Sequence, residues 1–353
     1  MKGRQIVIGR FAGLDAAALM VDGRLEDVAL DPSRAQSFAP GAILRGRVDR
    51  LVKGQGGVFL RLPEGARGFL RGKGGWREGQ DLLVQVSGAA EPGKALPLTT
   101  RLLIRGRYVI VTPGAAGINV SRAIRDPDLR DELVADANAA LAEAGLAGAV
   151  PGLIIRSAAA EASPDEIADE LIALGQIAVG IAGDAQGEPG LLLDAPTPAE
   201  TAFNDWTTPA PDAVDEGPTA FDDSGAGEAL RALLSARVSL PGGGFAMIES
   251  TSALVAVDVN TGPDTSPAAA LKANIALLRD LPRQLRLRGL GGQVVIDFAP
   301  VSKRDRGTIE QELQKAFRGE AAETALIGWT RLGLFELTRK RDRAPLHTIL
   351  AQS

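Results

Sequence analysis

No cysteine occurs among the 353 residues, and histidine and tyrosine occur once each. Disulfides and thiolate metal sites are thereby excluded, and a zinc ion, which takes sulfur and imidazole ligands, has almost nothing to bind. A Ser–His–Asp triad or a two-histidine nuclease mechanism would need the single His347 at the reaction centre. It sits near the C-terminus in APLHTIL and reads as a surface or packing residue. Aromatic residues make up only 4% of the chain, so its cores must be built from Ala, Val, Leu and Ile. No stretch approaches the ~18 consecutive apolar residues of a membrane span. The opening MKGRQIVIGRFAG lacks the apolar run of a secretory signal, so the expectation is a cytoplasmic protein without a membrane partner. A phosphate-cradling GxxxxGK[ST] loop is missing too.

What is present is unevenly spread. The net charge is −5, yet Arg45, Arg47, Arg50, Lys53, Arg61, Arg67, Arg71, Lys73 and Arg77 crowd one early region. Acidic residues collect between Asp205 and Asp223. A basic module inside a mildly acidic chain fits a polyanionic partner; the bland alternative is a solvated basic face.

Periodicity divides the chain into five parts. Residues 1–38 read as strands, with Asp22-Gly23 as a hairpin turn between apolar runs. Residues 39–101 hold five short glycine-punctuated strands, the pattern of a small closed barrel such as an OB fold. Residues 102–186 alternate strands with two helices as a small α/β subdomain. One helix starts at Asp126-Pro127 and stops at Gly145; the other is opened by Ser163, Pro164 and Glu166 as a capping box. Residues 187–224, rich in Pro, Asp, Thr and Ala, read as a loop-rich connector. Residues 225–353 return to strand–helix alternation. The fold class is α+β with α/β parts: a barrel inserted in an α/β subdomain, then a separate α/β domain.

The last domain carries the most informative pair. ALVAVDVNTG and GGQVVIDF are two hydrophobic strands separated by one amphipathic helix, and Asp258 and Asp297 close them. Such a unit makes parallel strands with a right-handed crossover, so both carboxylates emerge from the same sheet edge, where α/β folds bind ligands. Period-2 alternation puts Asn260 on the face of Asp258. Two carboxylates in a crevice suit one magnesium ion, a hard cation that keeps several waters. Against this, an aspartate at a strand end commonly caps a turn. The arginines of the helix end, Arg283, Arg286 and Arg288, read as complementing its dipole. In the barrel, Phe59 and Phe69 lie among arginines. They read either as stacking platforms for single-stranded nucleic acid or as barrel core.

With those segments in view, the chain resembles the ribonuclease E/G family of magnesium-dependent endoribonucleases acting on single-stranded RNA. The likeness is densest from Gly243 to Arg341, in GGFAMIESTSALVAVDVNTG, RQLRLRGLGGQVVIDF and RLGLFELTRKR. It extends loosely through MKGRQIVIG, RGRV, GFL, ALPLTT and GLIIRSA. The resemblance implies an RNase H-like part in the N-terminal strands and a DNase I-like catalytic domain at the end. It implies that Asp258 and Asp297 hold magnesium and that Asn260 supports the site. Phe59, Phe69 and Lys94 become RNA contacts, and Arg156 and Ser157 a 5′-phosphate sensor. Serine stands where the family has threonine, and Ala276 where it has an acid two positions after Asn274. The family's zinc-linking cysteines have no counterpart, so no zinc-mediated dimer is expected. Three functions remain open beside each other: a cleaving endoribonuclease, a non-cleaving RNA-binding relative, and a scaffold that uses the same folds for protein contacts.

Overall fold

A computed structural model describes residues 3–351 apart from 53, 55 and 92. Lys53 of the basic cluster therefore lies outside the described residues. The chain forms two compact units, one from residues 1–14, 18–35 and 215–353, the other from 15–17 and 36–214.

The N-terminal strands are β1 (Arg4–Phe11), β2 (Leu14–Val21) and β3 (Arg24–Leu30). Asp22 and Gly23 both have positive φ (50° and 76°), the geometry of the two-residue hairpin turn expected there. A second such turn at Ala12-Gly13 joins β1 to β2.

The barrel comprises β4 (Ile43–Val52), β5 (Gly57–Arg61), β6 (Arg67–Arg71), β7 (Asp81–Val86) and β8 (Leu96–Thr99). The long β4 pairs with both β5 and β7, which closes the five strands on themselves, as the glycine spacing suggested. Leu44, Val48, Val58, Leu60, Leu70, Val84, Val86 and Leu98 fill its interior. Next come β9 (Ile104–Arg105), β10 (Val109–Val111), β11 (Gly117–Val120), α1 (Pro127–Glu143), β12 (Gly152–Ile155) and α2 (Pro164–Gly183). Asp126 caps α1 through the Asp128 amide, and Gly145 leaves it with φ 67°. The Ser163–Glu166 capping box on α2 is complete in both directions.

Residues 187–224 depart from the expected loop. They hold β13 (Gly190–Leu193), which pairs with β4, then α3 (Pro198–Trp206), β14 (Ala213–Glu216) and α4 (Ala220–Asp223). Each element is too short for its periodicity to show. The pairing of β13 with β4 and the Thr197–Glu200 capping box on α3 hold those two elements in place.

The final part has α5 (Ala226–Ala232), β15 (Arg237–Ser239), β16 (Phe245–Ser250), β17 (Val255–Asn260), α6 (Pro267–Leu287), β18 (Gly292–Asp297), α7 (Arg306–Ala316), β19 (Thr324–Trp329), β20 (Phe335–Arg339) and α8 (Leu346–Leu350). IGWTRLGLFEL, read as one strand, is two strands broken by a turn at Thr330–Leu334. The six strands form a sheet in the order β15-β16-β17-β18-β20-β19. Only β17 and β18 run parallel, joined by α6 as the crossover. Leu277, Leu278, Leu281 and Leu285 of α6, with Ile309 and Leu313 of α7, pack on Ala246, Ile248, Val257, Val294, Ile296 and Leu337 of the strands. The opposite face of the sheet keeps its polar side chains accessible.

The helix-end arginines do more than complement the dipole. Arg286 pairs with Glu26 at 2.7 Å and also with Glu320, while Arg283 pairs with Asp280 at 3.1 Å. Arg288 is buried, and its guanidinium donates to the Gln284 side chain and the Ser235 carbonyl. Burial lowers its pKa to about 10, leaving it charged at neutral pH. Among the described residues, no helix is long and apolar enough to cross a membrane.

Candidate active site and nucleic-acid interface

Val255, Val257 and Val259 of β17 point into the core, which forces Asp258 and Asn260 onto the open face. In β18, Val294 and Ile296 are buried and Asp297 is exposed by the same alternation. The parallel ladder sets Asp258 directly opposite Asp297. Neighbouring strands lie ~4.8 Å apart, so the two carboxylates stand side by side on one face at one edge. The Asn260 amide donates to Asp258 Oδ2 at 2.7 Å and so fixes that carboxylate's rotamer. The three residues singled out in the sequence are thus brought together.

The backbone behind Asp297 is pinned from the core. Asn274 of α6 is fully buried; its amide donates to the Ala299 carbonyl at 2.9 Å, and its oxygen accepts from the Ala299 N–H at 3.1 Å. Those two bonds hold the chain where it leaves β18. The sequence flagged Asn274, but only the fold shows which backbone it grips.

The donor set is two carboxylates and one amide, all oxygen or nitrogen groups with no thiolate or imidazole. No group of three or more His, Cys, Asp or Glu side chains converges among the described residues. Two hard oxygen donors suit magnesium, which fills its remaining positions with water and substrate oxygens, and do not suit a closed structural zinc site. The residues present therefore fit one magnesium ion.

In the barrel, Phe59 and Phe69 are opposite each other on β5 and β6, with ring centroids 5.1 Å apart. Their neighbours Val58, Leu60 and Leu70 point inward, so both rings lie half-exposed on the outside and neither belongs to the barrel core. The Arg50 guanidinium sits 4.9 Å from the centre of the Phe59 ring. Gly57 makes room for the pair: a Cβ there would come within 2.6 Å of the Phe69 ring. This arrangement favours stacking over the core reading. Phe69→Ala is expected to weaken binding of a single-stranded oligoribonucleotide by ~1–3 kcal/mol in fluorescence anisotropy, with little change in melting temperature. A loss of several kcal/mol in stability would show the ring to be core after all.

Lys94 lies in the turn ahead of β8, pairs with Glu91 at 2.7 Å, and is largely exposed. The strand that follows sets Pro97 opposite Phe69. The basic cluster is less free than its sequence suggests. Arg45 pairs with Asp184, and Arg47 with Asp81 and Glu188, so these two bind neighbouring segments of their own unit. The Arg47 guanidinium, with the Gly187 amide, holds the Asp81 carboxyl below the usual range. Arg61, Arg67, Arg71, Lys73 and Arg77 are exposed.

Arg156 and Ser157 follow β12, with Ser157 exposed. The Arg156 fork is already engaged: it donates to the Gly106 and Asn204 carbonyls and to Asp205 Oδ1 at 2.5 Å. Sequence reasoning did not find Asp205, because its contact with Arg156 depends on α3 folding back.

Ribonuclease E from Nostoc sp. is 38% identical over 130 residues, covering 35% of this chain and 19% of that protein. Ribonuclease G from Escherichia coli K12 is 25% identical over an alignment of 387 residues, covering 93% of this chain and 78% of that protein. Ribonuclease G from Haemophilus influenzae is 26% identical, with 94% and 78% covered. The sequence pattern of the Ribonuclease E/G family matches residues 103–217 and 212–342, more than half of the chain. The chain belongs to the ribonuclease E/G family.

Proposed function

We propose that this protein is a magnesium-dependent endoribonuclease that cleaves single-stranded RNA at Asp258 and Asp297. The observation that carries the reading is the registered pair, Asp258 opposite Asp297 on the open face of parallel strands, with Asn260 bonded to Asp258. Family membership supports the ribonuclease assignment. Residues 225–353 are then a DNase I-like catalytic domain, residues 1–38 an RNase H-like part, and residues 39–101 an OB-fold RNA grip. Residues 102–186 carry the 5′ end site. A cytoplasmic location fits an RNA substrate.

Asp258 and Asp297 would hold the ion, and Asn260 fixes the Asp258 carboxylate through its amide. When bound, magnesium supplies Lewis-acid stabilisation of phosphoryl charge and a water of lowered pKa for in-line attack. The exposed edge admits a phosphodiester without rearrangement of the core. Phe59, Phe69 and Arg50 would stack bases, with Lys94 a phosphate contact. A 5′ phosphate entering the Arg156 fork, with the Ser157 hydroxyl as a second donor, must displace the Asp205 carboxylate.

One observation favours the second reading, an RNA-binding protein without turnover: among the described residues, no third acid joins the two carboxylates in a metal-holding group. Incubation of the purified chain with a labelled single-stranded oligoribonucleotide, in magnesium and in EDTA, separates the two. Internal cleavage in magnesium, lost in EDTA, is the expected result. Salt-sensitive binding with intact RNA under both conditions would establish the non-cleaving alternative.

A further inference from the structure

The open face that carries Asp258 and Asn260 also carries an aromatic–cation stack that the nuclease reading leaves unused. In β16, Ala246 and Ile248 are buried, so Phe245 and Met247 share the face of the carboxylates. The antiparallel ladder sets Phe245 opposite Asn260 and Met247 opposite Asp258. One strand further out, Arg237 is opposite Met247 and Ser239 opposite Phe245. The Arg237 guanidinium carbon lies 3.6 Å from the Phe245 ring centroid, which is stacking contact.

Arg237 is exposed, and among the described residues its guanidinium makes no hydrogen bond or ion pair. That contrasts with Arg283 and Arg286 of the same unit, both committed to carboxylates. The Arg237 guanidinium lies over the Phe245 ring, and the residue is exposed to solvent. RNA bases stack on guanidinium planes and aromatic rings, and the N–H edge of the same group binds phosphate oxygens. Strands lie ~4.8 Å apart, so Phe245 is one strand spacing and Arg237 two from β17, about 5–10 Å in all. That is the reach of a nucleotide next to a phosphodiester held at Asp258.

We infer that the Arg237–Phe245 stack is the subsite for the nucleobase adjacent to the scissile phosphodiester. The position of this subsite rests on the nuclease reading; the stack's affinity for a base does not. Every base has a π face, so the subsite demands a base without choosing among the four. The competing explanation is that Arg237 merely shields Phe245 from water.

The test moves a single abasic nucleotide stepwise through a single-stranded oligoribonucleotide and measures kcat/KM with the wild-type chain and with Arg237→Gln and Phe245→Leu. In the wild type, an abasic site at one position flanking the cut is expected to lower kcat/KM about tenfold. On the intact oligonucleotide each variant shows a similar loss, and the abasic site then adds nothing further. Arg237 is exposed, so Arg237→Gln should keep the wild-type melting temperature even if Phe245→Leu does not. Losses that multiply, or an Arg237→Gln variant indistinguishable from wild type, overturn the subsite. If the wild type does not cleave, the nuclease reading fails on its own, and the same scan is run on binding affinity. There, one abasic position coupled to Arg237→Gln keeps the base subsite, and no coupled position removes it.

Discussion

Asp297→Asn is expected to lower RNA cleavage by about 10³-fold while leaving the fold intact, the loss typical when a main electrostatic element of a site is removed. Asparagine matches aspartate in shape but lacks the negative charge that holds a cation. The side chain is exposed and buries no apolar surface, so thermal stability should stay within the ±0.5 kcal/mol usual for surface changes. RNA affinity should hold or rise slightly, because one like charge facing the phosphates is gone. Cleavage kinetics with anisotropy on the same preparation checks both halves. Activity reduced in proportion to a loss of binding would place Asp297 in RNA docking instead of chemistry.

Asn274→Ala should produce the largest loss of stability among polar substitutions in the final domain. The amide makes two hydrogen bonds to Ala299, which is only 4% exposed, so truncation strands a buried N–H and a buried carbonyl. Each orphaned group costs ~1–3 kcal/mol, giving about 2–6 kcal/mol against a total stability of ~5–15 kcal/mol. Urea denaturation measures it as a lower midpoint at unchanged slope. Released backbone beyond β18 also lets Asp297 drift, so cleavage should fall further than the folded fraction does. A stability loss below ~1 kcal/mol would mean that water replaces the amide and that Asn274 does not pin the strand end.

The carboxylate pair was legible in the sequence for a topological reason. Two hydrophobic strands flanking one helix have a single common arrangement, and that arrangement puts residues 258 and 297 at one edge. Period-2 alternation then fixed the face of Asn260, and its hydrogen bond to Asp258 followed. The barrel was readable from glycine spacing, and the α2 start from its capping box.

What escaped depends on partners distant in the chain. The short β13 owes its existence to β4 more than to its own sequence, and the Thr197–Glu200 capping box, though readable, sat inside a stretch dominated by proline and acid. The turn at Thr330–Leu334 was hidden because Leu332 and Leu334 kept the segment apolar, while Gly333, at φ 92°, supplies the reversal. Arg286 finds Glu26, and Arg156 finds Asp205, across separations no local pattern encodes. The Arg237–Phe245 stack was within reach: alternation in FAMIES already puts Phe245 opposite the core, but nothing local brings Arg237 over it.

The central claim is that Asp258 and Asp297 act as one unit around a shared ion, and a double-mutant cycle measures this directly. Single-turnover cleavage in magnesium would be compared for the wild type, Asp258→Asn, Asp297→Asn and the double variant. If the carboxylates share one function, either single change removes nearly all of it, and the double variant is slower than the slower single by no more than about threefold. A double variant slower by a further factor on the order of 10³, or a wild type without magnesium-dependent turnover, would contradict the account.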